Sequence, residues 1–596
     1  MSSVPERSEI DEEYKWALES LYADVEAWED AYEDAEELIE VVASYEGEAT
    51  ADAETLLSVL DDYEQLMRAV SNVSSFARMR RDEDTRDDDA QAMATRAQSL
   101  SARASSAASF LEPEIQSLDR EEVEALIEAQ PELEEYEHYF DDVLRMKPHT
   151  RSTEVESLLA DLGEVMGAPG EVYDMLTNAD MTFPTVEDPD GEAVEITLNN
   201  FTTLQQRHDR EFREDVYEAF YDEWDTVHNA VSTAYKNTVK TGSKLATARN
   251  YDTAREASLH GPNIPVEVYD TLIETVRDNL DPLHRHAELK REHTDGDDLQ
   301  MWDLYVPLTE TESPDIEYEQ ACEYVVEALA PLGEDYQSRV AEGLESRWVD
   351  VYETRGKQAG AYSGGTYDSQ PFILLNYQDD VESMYTLAHE LGHSLHSEYT
   401  SENQPYVYSS YEIFVAEVAS TVNEALLTRH LLATVEDDHL RRHVLNQYLE
   451  RFRSTLFRQT MFAEFEHRAH EMSEAGEPLT PDRLNDLYRE LKSDYYEPAE
   501  VDDRIAREWL RIPHFYRSFY VFQYSTGISA AVALARAIDE EGDEAAERYR
   551  AFLASGSSDY PLELLRTAGV DMSESSPIED AIAEYDDNLD RMADLL

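Results

Sequence analysis

The stretch that decides this chain is TLAHELGHSLH, Thr386 to His396. It contains His389-Glu390-Leu391-Gly392-His393, two histidines four apart with a glutamate beside the first. In an α-helix, residues i and i+4 lie on one face, a turn apart. His389 and His393 therefore point the same way and can hold one cation between two imidazoles. Glu390 lies about 100° around the helix from His389, where its carboxylate can take a proton from water activated by the metal. Neutral nitrogen ligands, an open position and a nearby base are what zinc hydrolysis requires.

The motif alone does not decide the matter. With 17 histidines in 596 residues, His-Glu-x-x-His arises by chance about one time in twenty. A catalytic zinc also takes three protein ligands as a rule. The pattern with a third histidine six residues after the second is excluded, because Tyr399 stands there. A glutamate on a following helix remains. The segment YEIFVAEVASTVNEALLTRH, 411–430, has helical periodicity and carries Glu412, Glu417 and Glu424. Glu417 sits among Phe414, Val415, Ala416, Val418 and Ala419, where an unpaired carboxylate costs several kcal/mol. A bound metal offsets that cost, so Glu417 ranks first as third ligand. Glu424, one heptad on, is placed to accept a hydrogen bond from a ligand imidazole. Glu412 lies near the helix start, where the dipole stabilises a carboxylate. His396 reads as a surface or supporting histidine, since the site already has its three ligands.

The charge balance is extreme: 132 acidic residues against 48 basic ones, a formal net charge of −84. The acids recur in nearly every block of ten rather than in one tail. Self-repulsion on that scale destabilises a compact state in ordinary buffer, whereas in molar salt the Debye length falls to about 3 Å. The composition predicts a halophilic protein of a salt-rich cytoplasm. It argues against nucleic acid, whose phosphates need a basic face. One cysteine, Cys322, excludes an internal disulfide and reads as a small buried residue. The start, MSSVPERSEIDEEYKW, has no basic then apolar pattern of a signal peptide, and there is no apolar run of membrane-spanning length. A soluble cytoplasmic protein, with no membrane partner, is expected.

Along the chain the fold class reads as mainly α. The first 150 residues contain a single glycine, Gly47, and apolar residues recur at helical spacing, as in Leu56, Leu57, Leu60, Tyr63 and Met67. Breaks are expected near Gly47, Pro113 and Pro131. Around 181–198, alternation on both sides of Asp190-Gly191 predicts a β-hairpin. WVDVY and PFILLNY, within 348–377, read as strands of one small sheet beside the motif helix. The expected division is an N-terminal helical lobe, 1–200, ending in the hairpin, and a catalytic domain, 201–596.

The run AHELGHSLHSEYTSENQPY, followed by IFVAEVASTVNE, resembles the oligoendopeptidase F family, relatives of thimet oligopeptidase. EIDEEYKWALESLY, MRRDEDTRDDDAQA, MKPHTRSTEVESLLA, GKQAGAYSGGTYDSQPFILLNY and RIPHFYRSFYVFQYSTG resemble family stretches in the same order, so the resemblance spans the chain. It implies two helical lobes flanking a deep substrate channel, one zinc ion per chain and hydrolysis of internal bonds in short unstructured peptides. Carried over by position, it implies that His389, His393 and Glu417 bind zinc and that Glu390 is the general base. It implies a substrate strand as well, the open edge of PFILLNY pairing with an extended peptide, with Gly364, Phe372, Leu374 and Asn376 as binding residues. His514, Tyr520 and Tyr524 are candidates to stabilise the oxyanion; spacing after His514 differs from the thimet-type pattern and leaves the choice of tyrosine open. Two rival readings stand beside this one: a zinc carboxypeptidase on a related scaffold, and a peptide-binding protein without catalysis. Oligomeric state is left open.

Overall fold

The structure is a computed structural model that describes residues 4–293, 298–309 and 313–596. It is mainly helical, with small sheets. The helices used below are, in chain order, α1 (Val25–Ala43), α2 (Ala53–Glu83), α3 (Asp88–Ala108), α4 (Thr153–Met175), α5 (Arg210–Ala248), α6 (Val381–Asn403), α7 (Ile413–Thr434), α8 (Arg458–Glu474) and α9 (Phe522–Glu541). The strands are β1 (Thr185–Glu187), β2 (Ala193–Glu195), β3 (Leu299–Gln300), β4 (Val349–Tyr352), β5 (Tyr362–Gly364), β6 (Phe372–Tyr377) and β7 (Ala499–Glu500).

The chain divides into two compact units, each made of three segments. One comprises Met1–Pro148, Asp315–Ala433 and Leu534–Gly569; the other comprises His149–Pro314, Thr434–Ala533 and Val570–Leu596. These units cut the chain at other places than the 1–200 and 201–596 reading.

In the first unit, α1, α2 and α3 pack together around Trp28, Leu66, Phe76 and Leu100. Local chemistry sets the boundaries. Gly47 lies in the turn between α1 and α2 at φ +85, and Asp52 caps α2 by accepting the Thr55 N–H. Pro131 opens a short 3-10 turn, and Pro113 lies in the first turn of a helix, Leu111–Ser117, that starts just after the break at the end of α3. The bundle core reaches Phe372 and Leu374, so it supports one face of the sheet.

That sheet has the order β4-β6-β5. β6 pairs in parallel with β4, Val349 opposite Ile373, and antiparallel with β5, Gly364 opposite Phe372. PFILLNY is thus the central strand. This corrects the expectation that its edge is open: both edges are occupied, and Phe372 and Leu374 are fully buried. Asn376 is held by loop carbonyls, donating to Gln358 and Gly360. β4 and β5 each have a partner on one side only, and β5 carries Gly364. α6 packs across β5 and β6 and is capped by Asp380, which accepts the Ser383 N–H at 2.7 Å. Cys322 is half-buried rather than fully buried, and burial pushes its thiol up to about 12.

The second unit is built on α5, whose cap Asp209 accepts the Phe212 N–H. Tyr217, Phe220, Tyr221 and Trp224 form its buried stripe, and Tyr235 packs on Phe465, Trp509 and Phe515. Arg213 is buried and ion-paired with Asp303 at 2.7 Å. The hairpin forms around Asp190-Gly191, β1 antiparallel to β2, with Gly191 at φ +81. β3 and β7 make a second short ladder.

Candidate metal centre

α6 carries His389, Glu390 and His393, and α7 carries Glu417 and Glu424. The two helices touch at Gly392. A Cβ there would lie 2.6 Å from both the Ala419 carbonyl oxygen and the Ser420 Cα. The absence of a side chain lets the backbones approach and brings Glu417 to the histidines.

Ligand atoms of His389, His393 and Glu417 all lie within 4.8 Å of one another. Glu417 Oε2 is 3.5 Å from His389 Nε2 and 3.8 Å from His393 Nε2. A tetrahedral zinc with bonds of about 2.0–2.2 Å needs donors roughly 3.3–3.6 Å apart, so the three residues fit such an ion. Their side chains are 19, 20 and 27 % exposed, which leaves the centre reachable by substrate. Both imidazoles are suited to the task. His389 donates from Nδ1 to Glu424 Oε1 at 2.5 Å, freeing Nε2 to face the centre. Burial, and then the neighbouring His389, push His393 down to about 4, so it is neutral near pH 7.

Around this set, the Ser420 hydroxyl donates to Glu417 Oε2 at 3.2 Å. Asn423 ties the helices by donating to the Ala388 carbonyl at 3.1 Å and accepts from the Tyr336 hydroxyl at 3.0 Å. Glu390 is buried, and desolvation raises its carboxyl above the usual range. His389 opposes that rise, Glu417 adds to it, and the nearby Ser363 backbone on β5 lowers it. The Ser363 and Ser394 hydroxyls are hydrogen-bonded at 2.9 Å, fixing β5 against α6.

His396 is not at the surface. It is buried, stacked on Tyr411 at 3.7 Å, and burial pushes it down to about 3. Glu412 precedes α7 and its carbonyl accepts the Val415 and Ala416 N–H groups.

In the second unit, His514, Tyr520 and Tyr524 form a cluster with ring centroids 5.4–6.2 Å apart. A 3-10 turn, Pro513–Tyr516, is followed by irregular backbone with Phe519 at φ +58, and α9 begins at Phe522. The Phe519 N–H donates to buried Glu466 Oε1 at 2.9 Å, and the Arg517 guanidinium lies over the Tyr520 ring. Sequence reasoning did not single out Gly392, Ser363, Ser420 or Asn423. Gly392 was visible inside the motif, but its contact is with a helix distant in sequence.

Comparison with known proteins decides the family. The sequence pattern of peptidase family M3 matches residues 203–584, and that of oligopeptidase F matches residues 114–183. This chain belongs to peptidase family M3. It is 42% identical over 596 residues to oligopeptidase PepF of Bacillus subtilis (strain 168), covering 100% of this chain and 89% of that protein. It is 40% identical to group B oligopeptidase PepB of Streptococcus agalactiae, covering 99% and 98%. The crystal structure of oligoendopeptidase-F from Enterococcus faecium superposes with a TM-score of 0.74 at 36% identity, over 96% of this chain and 99% of that one. Membership in family M3 makes the chain a metalloendopeptidase. Among the described residues no helix is long and apolar enough to cross a membrane.

Proposed function

We propose that the chain is a zinc-dependent endopeptidase that cuts internal bonds of short, unstructured peptides in the cytoplasm of a halophilic cell. The observation that carries the reading is the convergence of His389, His393 and Glu417 beside a buried glutamate. Those three residues would hold one zinc ion per chain, which when bound would supply Lewis acidity to a water and to the peptide carbonyl. Glu424 keeps His389 in the tautomer that presents Nε2. Glu390 takes the proton from the attacking water and passes it to the leaving amine. Its raised carboxyl suits the first half of that task, since a carboxylate pushed above its usual range is a stronger base toward the attacking water. The unpaired side of β5, at Ser363 and Gly364, takes the extended peptide backbone by strand addition. On the family resemblance, the oxyanion donor is His514 or one of the two tyrosine hydroxyls, Tyr520 and Tyr524, with His514 the first choice.

A carboxypeptidase reading predicts trimming from one end, and a silent binding protein has no need of Glu390. The test is a mass-spectrometric digest in high salt of a ladder of peptides of increasing length, with one folded protein added. Internal cuts that stop above a length limit support the proposal. Stepwise loss of C-terminal residues assigns the carboxypeptidase, and intact peptides in zinc-loaded samples assign the binding protein.

A further inference from the structure

The second unit holds a cavity of about 1090 Å³ between α4 and α5. Its composition is foreign to the rest of the chain. None of its 16 lining residues is acidic, whereas 132 acids in 596 residues would place three or four in any such set. Two of the lining residues are Lys240 and Lys244. With Lys236 they form a stripe at i, i+4 and i+8 on α5 that contains three of the eight lysines in the sequence. Among the described residues, no carboxylate makes an ion pair with any of the three. Lys240 and Lys244 are exposed.

The facing wall is equally distinct. Of the nine exposed large hydrophobic side chains among the described residues, five lie on α4: Leu158, Leu162, Val165, Val172 and Met175. Val165 is 68 % and Val172 50 % exposed, and both line the cavity. A soluble chain leaves such a stripe bare chiefly where something binds. The groove is therefore apolar on one wall and cationic on the other, in a molecule that otherwise repels anions.

We propose that this groove holds the C-terminal end of a peptide, with its α-carboxylate against Lys240 and Lys244 and its last apolar side chains against Val165 and Val172. The occupant follows from the chemistry. Two ammonium groups one helical turn apart, a rise of about 6 Å, suit one carboxylate. The α-carboxylate is the anion that short peptides share whatever their sequence, and the apolar wall adds affinity without demanding one side chain. The proposal rests on the oligopeptidase reading for its substrate class.

The test uses the full-length Glu390→Gln protein in moderate salt and N-terminally labelled nonapeptides with apolar C-terminal residues, read by fluorescence anisotropy. One peptide ends in the free acid and its twin in the amide. Two exposed charge pairs predict about tenfold tighter binding of the free acid. That preference should vanish in Lys240→Gln/Lys244→Gln, persist after metal chelation, and fade with added salt. Val172→Asp should weaken the free acid and the amide together. Equal affinity of acid and amide, or a preference that survives the double lysine substitution, overturns the proposal. So does protein self-association abolished by Val172→Asp, which would assign the groove to a second copy. Cleavage of the ladder without an end-group preference defeats this inference alone. A preference without cleavage by the unmutated enzyme defeats the endopeptidase reading alone.

Discussion

Replacing Gly392 with alanine isolates the step that makes the metal centre. The added Cβ would sit 2.6 Å from the Ala419 carbonyl oxygen, 2.6 Å from Ser420 Cα and 2.8 Å from Ser420 N. All three are backbone atoms of α7, so no rotamer change relieves the clash. Carbon pairs rest at about 3.5–4.0 Å, and the helices must part by roughly 1 Å to restore that spacing. Two opposing effects act on stability. Overpacking costs about 1–3 kcal/mol, and exchanging glycine for alanine inside a helix returns about 1 kcal/mol. The metal-free fold should lose no more than about 2 kcal/mol. The ligand set is far less tolerant. Glu417 moves with α7, and metal–ligand distances hold to about 0.2 Å, so zinc affinity should fall by at least about a hundredfold. Thermal unfolding of the chelated protein in high salt measures the first quantity, and chelator-competition titration measures the second. Zinc affinity equal to that of the unmutated protein would refute the argument that Gly392 sets the distance between α6 and α7.

Three further predictions test separate parts of the account. Glu424→Gln removes the charged acceptor of His389 Nδ1, so zinc affinity should drop about 10–100-fold with little change in helical content; an unchanged affinity would deny Glu424 its orienting role. Burial raises Glu466 to about 8 from the ordinary glutamate value of 4.5. Between those values the folded chain holds a proton that the unfolded chain releases, so this group's contribution to stability falls as pH rises through that window. The loss amounts to at most about 5 kcal/mol. Glu466→Gln should remove the decline, and denaturation curves with the same pH dependence in both proteins would contradict it. The net charge of −84 predicts unfolding on dialysis from molar salt into dilute buffer, where the Debye length grows to about 30 Å; an unchanged helical circular dichroism signal would count against the halophilic reading.

What could be read from the sequence follows the range of the interactions involved. His389 and His393 were legible because i, i+4 geometry is local to one helix. Glu417 stood out because a carboxylate amid Phe414, Val415 and Val418 demands a partner, and the demand is visible without knowing the partner's position. Strand order was not legible, since it depends on pairing between segments far apart. A sign was present even so: PFILLNY is apolar on both faces, the mark of a strand covered on both sides, and it is the central strand. The backbone at His514–Tyr524 escaped for a different reason. Phe519 occupies a left-handed conformation, uncommon for a non-glycine residue, and the Glu466 that receives its N–H lies 53 residues earlier. The cationic groove was half legible, as Lys236, Lys240 and Lys244 share a helical face. The exposed stripe of α4 opposite them needed the structure.

The most direct measurement takes zinc content and turnover together. Protein is stripped with a chelator, reloaded, analysed for metal per chain by elemental mass spectrometry, and assayed on an internally quenched peptide, in parallel with Glu390→Gln. The account predicts one zinc per chain in both proteins, cleavage only in the reloaded unmutated enzyme, and almost none in Glu390→Gln. Near-normal cleavage by zinc-loaded Glu390→Gln, or full activity in the metal-free enzyme, would contradict it.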